Sequence, residues 1–268
     1  MKNKKIQDKE KSFHDDWAKS ENIHNIDLDK VNTSITAPEM RYIVEVLGDL
    51  RGKDLLDVGC GLGEASVFFS KLGANVTASD ISEGMLDKTK ELAQVHDQKL
   101  NYHLSSSVDM ELKDKSFDII YAGNLLHHVN IKETLSKISP HLRKNGTLVT
   151  WDPLAYNPLI NIYRKIATEV RTEDEHPLTK SDIKLFNDFF PEVKAKYFWL
   201  TTLFIFVIMA IFQGRNPNKE RFWKVILLEG DKWAWLYRPL ESFDRFLLSI
   251  FPPLKYLCWN VVIICKKK

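Results

Sequence analysis

Leu55-Leu56-Asp57-Val58-Gly59-Cys60-Gly61-Leu62-Gly63-Glu64 decides the fold. A run from Asp54 to Val58 stops at three alternate glycines, and a helical apolar pattern (Ala65, Val67, Phe68, Phe69, Leu72) begins at once. The pattern predicts strand, tight turn and helix. Glycine belongs in such a turn because the backbone bends sharply and a ligand can lie against bare main chain. The helix start then presents unpaired N–H groups. The next strand, Asn75 to Ser79, ends in Asp80, about 20 residues beyond the loop, where a nucleoside site places a carboxylate on the ribose. A purely structural turn is the alternative. The succession of strand, loop, helix, strand and terminal acid favours a nucleoside site.

Position 64 separates the possible ligands. A dinucleotide loop G-x-G-x-x-G requires glycine there, for close helix packing and a pyrophosphate. This chain has Glu64, a G-x-G-x-G spacing, and Asp57 two residues ahead of it. On these residues the chain resembles the class I S-adenosylmethionine-dependent methyltransferases, whose first motif looks like D-x-G-x-G-x-G and whose second strand ends in an acid. The resemblance covers roughly residues 40–152 and, weakly, the final strand. It implies an α/β fold: a Rossmann-like, seven-stranded, mostly parallel sheet with helices on both faces, an N-terminal lid helix and a helical cap inserted between the last strands. It also implies S-adenosylmethionine as cofactor and S-adenosylhomocysteine as product. The cofactor contacts it implies fall at Asp57, Gly59, Cys60, Gly61 and Gly63, at Asp80, Ile81 and Met85, and at Asn124. By position, Ser106, Ser107 and Val108 correspond to the adenine-contacting loop. The family often has an acid where this chain has Ser106, whose hydroxyl can still accept from an exocyclic amine.

Composition limits the rest. With 268 residues, 44% of them apolar, the chain holds one large α/β domain or a domain with an elaborated cap. Three cysteines (Cys60, Cys258, Cys265) match neither a disulfide framework nor a zinc spacing, which points to a reducing compartment and a cytoplasmic protein. The lysine-rich start, Met1 to Lys11, is no secretory signal. A net charge of +2 gives no argument for nucleic acid, and no basic stripe with interleaved aromatics is present. The charge is uneven, −3 over residues 1–150 and +5 over 151–268, and six of the seven tryptophans lie at or after Trp151. Two regions with different tasks are expected.

In chain order, Phe13 and Trp17 stand four residues apart, on one face if helical. They either staple the terminus to the body or, as the resemblance implies, close over the cofactor as a lid. A helix is expected from Pro38 to Leu50, with Met40, Ile43, Val44 and Leu47 on one face. Ser82 caps a helix reaching about His96. Strands follow near Leu100–Leu104, Ser116–Tyr121 and Leu142–Thr150, with a helix over Lys132–Ser139. His127 and His128 follow the fourth strand. They either supply a general base or divide between packing and solvent, and their spacing gives no reason to expect a metal. Alternating strands and helices call for a parallel sheet that binds ligands at its carboxyl edge, where Asp57, Gly59, Asp80, Ser106, Asn124 and Asp152 all fall.

From Asp152 the alternation fails. A proline-started helix covers Leu159 to Val170, followed by an acidic loop through Glu173, Asp174 and Glu175 and a helix over Thr179–Phe190. The acids either cap and solvate or take part in acid–base or metal chemistry. Tyr197–Gly214 holds eighteen uncharged residues, at the lower edge for a membrane span. Spanning conflicts with strands expected at Val193–Phe198 and Leu257–Cys265, which must join one sheet. Residues 199–212 are therefore read as a buried or interfacial helix, with peripheral membrane contact through 199–214. Arg215, Arg221, Lys224 and Arg238 are expected to rim a greasy chamber. The expected divisions are a lid segment 1–37, a cofactor-binding core 38–152, a helical cap 153–256 that includes strand six, and the last strand and tail 257–268. The expected activity is methyl transfer to a small hydrophobic or lipid-like acceptor. A sugar or polar acceptor, or a cofactor-binding scaffold docking through its apolar cap, are the alternatives. His128, Asp152, Tyr156 and Glu173 are the catalytic candidates.

Overall fold

The computed structural model describes residues 2–112, 115–167 and 175–268. Seven strands form one sheet: β1 (Asp54–Val58), β2 (Asn75–Asp80), β3 (Asn101–Leu104), β4 (Phe117–Gly123), β5 (Leu142–Pro153), β6 (Glu192–Phe198) and β7 (Asn260–Lys266). Their order is β3-β2-β1-β4-β5-β7-β6. β1 to β5 pair in parallel, and β7 runs antiparallel to both β5 and β6.

Successive side chains on a strand point to opposite faces, and the core divides accordingly. Leu55, Ile119, Val149 and Val262 enter one apolar cluster, while Leu56, Ile120, Leu148 and Val261 enter another. Burying each such side chain contributes about 1.5–3 kcal/mol, so a one-residue slip of any central strand is strongly disfavoured. The first cluster is covered by α1 (Lys2–Ser20), α2 (Leu28–Thr33), α3 (Pro38–Leu47), α4 (Glu64–Lys71) and α5 (Glu83–Val95). The second is covered by α6 (Ile131–Ile138) and, beyond α7 (Pro158–Ile166), by α8 (Lys180–Leu185). Helix starts follow side-chain caps. Ser82 Oγ accepts from Met85 N at 3.0 Å, and Asn157 accepts from Ile160 N at 3.1 Å with Pro158 in the first turn.

Between β6 and β7 lies a helical layer of α9 (Phe204–Ile211), α10 (Phe222–Leu228) and α11 (Gly230–Ile250). Its core joins Trp199, Phe206, Met209, Phe222, Trp233 and Tyr237. The expected helix over 199–212 is shorter than its apolar run. Trp199 takes a left-handed φ of 65° that ends β6, and the turn that follows is held from outside. Buried Asp244 of α11 accepts from the backbone N–H of Leu200 at 3.1 Å and Thr201 at 2.7 Å. Among the described residues no helix is long and apolar enough to cross a membrane. The helix expected to reach Val170 ends at Ile166, and residues 168–174 lie outside the described residues. The helix expected over 179–190 is α8 followed by a 3-10 turn, Phe186–Asp188.

Candidate functional site

The strand order reverses between β1 and β4, which run parallel: β2 and β3 build to one side of β1, and β4 onward to the other. A crevice opens outside the strand carboxyl ends at such a point. A cavity of about 570 Å³ occupies it here.

The glycine loop forms its floor. Gly59, Gly61 and Gly63 all have positive φ, of 72°, 54° and 86°. Gly59 and Gly63 are also fixed by packing, because a Cβ would meet Leu125 Cδ1 at 2.7 Å and Thr89 Cγ2 at 2.5 Å. At Gly61 nothing lies within 4 Å of a Cβ, and the residue lines the cavity. Asp80 ties the loop to α5: Oδ2 accepts from Gly61 N at 2.9 Å and Oδ1 from Ser82 N at 2.9 Å. Burial raises the Asp80 carboxyl above its ordinary value. Asp57 lies beneath the loop and accepts from Ser66 Oγ at 2.5 Å. Burial, aided by the nearby Asp80 charge, pushes it up to about 7. Cys60, Ile81, Ser106, Ser107, Val108 and Asn124 also border the cavity. Gly63 and Met85 do not border it. Gly63 starts α4 against Thr89, and Met85 is fully buried behind the Ser82 cap.

α1 crosses above this floor. Gln7 Nε2 donates to Ser106 Oγ at 3.1 Å, and Asp15 Oδ1 accepts from Ser82 Oγ at 2.5 Å. Phe13 and Trp17 face the cavity, and the Arg221 guanidinium stacks 4.1 Å from the Trp17 ring. Buried Glu10 points inward. Its Oε2 lies 3.5 Å from His128 Nδ1 and 3.6 Å from His14 Nε2. Burial raises the Glu10 carboxyl, but the two imidazoles more than offset this and hold it to about 2.

Past the loop stand His127 and His128, both bordering the cavity. Asn124, in a left-handed conformation at φ 57°, turns the chain out of β4 and donates its N–H to Trp151 O at 2.6 Å. That turn sets His127 over the end of β5. His127 Nδ1 lies 2.9 Å from Asp152 Oδ1, which also accepts from His127 N at 3.2 Å. Asp152 is fully buried, and burial pushes its carboxyl well up. Asp152 thus stands behind His127 and does not itself border the cavity. The Tyr156 hydroxyl accepts from Lys180 N at 3.0 Å, and the residue is not part of the cavity lining. Glu173 lies outside the described residues. Its neighbour Glu175 reaches the cavity because His176 N donates to His127 O at 2.7 Å. Potential ligand atoms of His127, His128 and Glu175 lie within 4.8 Å of one another, so the trio has the composition of a three-ligand metal site.

The far half of the cavity is aromatic and apolar. Ile160, Tyr163, Trp199, Trp223, Ile226 and Trp259 line it. At its base Asn260 Nδ2 donates to Glu39 Oε1 at 2.7 Å. Both residues are buried, and burial pushes Glu39 up to about 7. Of the cations expected at the rim, only Arg221 borders the cavity. Arg215 pairs with Glu229 at 2.9 Å, Lys224 with Glu21 at 3.3 Å, and Arg238 is exposed on α11.

Residues 56–150 match a family model described as a methyltransferase domain. Over this stretch, about a third of its length, the chain is similar to methyltransferase domains. A ubiquinone biosynthesis O-methyltransferase of Coxiella burnetii is 32% identical over 136 residues, covering 50% of this chain and 57% of that protein. The Rickettsia typhi protein of the same name is 27% identical over 150 residues, covering 54% and 58%. The chain thus spans a little over half the length of these curated relatives. Among solved structures, phosphoethanolamine N-methyltransferase 2 of Haemonchus contortus, with S-adenosyl-L-methionine, superposes at a TM-score of 0.57 and 16% identity. The match covers 86% of this chain and 52% of that one. The YcgJ protein of Bacillus subtilis superposes at 0.54 and 13% identity, covering 86% and 98%. These likenesses support the fold.

Proposed function

We propose that this protein transfers a methyl group from S-adenosylmethionine to an oxygen of a small hydrophobic, lipid-like acceptor. The observation that carries the reading is the continuity of one cavity, from the Gly61–Asp80 floor, past His127 and His128, into the chamber of Trp199, Trp223 and Trp259. The floor suits the cofactor chemically. Gly61 leaves bare backbone open to the cavity, Asp80 is placed for ribose hydroxyls, and Asp57, Asp80 and Glu10 make the surroundings acidic. A cationic sulfonium nucleoside fits there, whereas a pyrophosphate meets like charge. Ser106 and Val108 border the place of the base, with Gln7 of the lid bonded to Ser106.

Bound on that floor, S-adenosylmethionine supplies an electrophilic methyl group for in-line displacement. The chain contributes positioning and exclusion of water more than bond polarisation. Phe13 and Trp17 cover the donor, and the tryptophans and Tyr163 hold the acceptor's apolar body. With Nδ1–H donated to Asp152, His127 keeps the tautomer whose Nε2 accepts a proton from an acceptor hydroxyl. Asp152 is thus a positioning residue. Oxygen is favoured because the curated relatives are named for O-methylation. The buried Glu39–Asn260 pair gives the chamber a polar end for a hydroxyl or carbonyl on an otherwise apolar acceptor.

Incubation with methyl-labelled S-adenosylmethionine, followed by separate counting of lipid and aqueous extracts, tests the reading. Label is expected in the lipid extract. Label only in the aqueous extract points instead to a sugar or other polar acceptor, and absence of label despite cofactor binding marks a scaffold.

A further inference from the structure

The outward side of α11 is apolar in a pattern no part of this chain covers among the described residues. Trp235, Pro239, Phe243, Phe246 and Ile250 are all exposed, Trp235 by 74% and Phe246 by 57%. At 3.6 residues per turn these five fall within an arc of about 80° and extend over about 22 Å of helix. Trp233, Tyr237 and Asp244 lie on the opposite side and are buried. Phe251, just past the helix end, is also exposed.

Charge on this side is mainly positive, with Asp231 of the first turn its one exposed acid. Between residues 232 and 250 the exposed charges are Lys232, Arg238 and Arg245. The acids of the same stretch are withdrawn: Glu241 pairs with Arg41 at 2.9 Å, and buried Asp244 holds the turn after Trp199. Arg238 and Arg245 project from about the same edge of the stripe, two turns apart.

We propose that this face of α11 docks the protein on an anionic phospholipid bilayer. A helix with an apolar stripe flanked by arginines lies in the plane of such an interface, its aromatic side chains among the acyl chains and its guanidinium groups on the phosphates. A second copy of the chain is the poorer occupant, because pairing two α11 helices about a two-fold axis brings Arg238 and Arg245 of both copies together. In the face expected from sequence, 199–214, Ile205, Phe206 and Met209 are buried inside the helical layer, whereas Phe204, Ile211 and Phe212 are exposed and add apolar surface of their own. The docking face is backed by the chamber. Tyr237, on the inner side of α11, contacts Trp199 at 5.2 Å between ring centroids, and Trp199 lines the cavity. Docking does not depend on the methyl-transfer reading.

Flotation of the full chain with vesicles tests the proposal. The parent is expected to float with equal parts phosphatidylcholine and phosphatidylglycerol and to remain at the bottom with phosphatidylcholine alone. Phe246→Ser with Ile250→Ser is expected to abolish flotation. Arg238→Gln with Arg245→Gln is expected to weaken binding about thirtyfold, at roughly fivefold per surface cation. Unaltered thermal melting and S-adenosylhomocysteine affinity in both variants show that the loss belongs to the surface. Two outcomes overturn the proposal. One is flotation of the Phe246→Ser, Ile250→Ser variant equal to the parent's. The other is no flotation of the parent on either vesicle, whether or not light scattering detects a dimer that these substitutions dissolve.

Discussion

Replacing Glu39 by glutamine should make the protein more stable above neutral pH and leave it unchanged in acid. The Glu39 carboxyl is buried at the base of the chamber and raised from 4.5 to about 7, with burial as the leading cause and the Asn260 hydrogen bond opposing it. Between these two values the folded chain holds a proton that the unfolded chain has released. Stability contributed by the protonated group is therefore fully present below 4.5 and is lost as pH climbs through 7. A shift of this size corresponds to about 3 kcal/mol. Glutamine keeps an oxygen for Asn260 Nδ2 and never ionises. Thermal melting of parent and variant should coincide near pH 4.5 and diverge by roughly 5–10 °C at pH 8.5, the variant being higher. Asp57, raised to about 7 in the same window, is present in both proteins and cancels in the comparison. A constant difference in melting temperature across this pH range would refute the argument.

Three further outcomes are expected. Asp80→Ala should weaken S-adenosylhomocysteine binding by about 1.5–3 kcal/mol in titration calorimetry, the worth of hydrogen bonds to a charged group; an unchanged dissociation constant would remove Asp80 from the cofactor site. His127→Gln should lower kcat by about 10²–10⁴-fold, the usual contribution of a positioned base, with S-adenosylhomocysteine affinity retained; an unchanged kcat would show that His127 moves no proton. Exhaustive chelation should leave the labelled-methyl transfer rate unaltered; loss of rate restored by added zinc would instead assign His127, His128 and Glu175 to a metal.

The donor half of the site was legible because its requirements are local. Alternate glycines announced positive φ, and an acid at the end of the next strand sat a fixed distance away. The acceptor half depends on contacts that cross the sheet. His127 gains its meaning from Asp152, which parallel pairing of β4 with β5 places alongside it, as the register of Gly123 with Trp151 shows. Glu39 carried a usable signal, since it stands four residues before Ile43 and shares its helical face, the side that faces inward. Glu10 carried half a signal, because His14 lies one turn on in the same helix but His128 reaches Glu10 only through the tertiary fold. The apolar run 199–212 was conspicuous, yet hydropathy could not locate the left-handed Trp199 or the Asp244 cap that shorten its helix.

β7 sits between β5 and β6 and joins both. β6 therefore has no edge of the parallel sheet to pair with until a strand more than 60 residues later in the sequence has been placed. During synthesis the β1–β5 half, with its glycine loop, can collapse early. The helical layer must wait as an apolar segment without a lid, its ends unclosed. Late closure of this kind is slow, because a long loop is ordered before its contacts repay the cost. A nascent chain would acquire the ability to bind its donor before it could enclose an acceptor, and for that interval α9 and α11 would be the surfaces most in need of a chaperone or a bilayer.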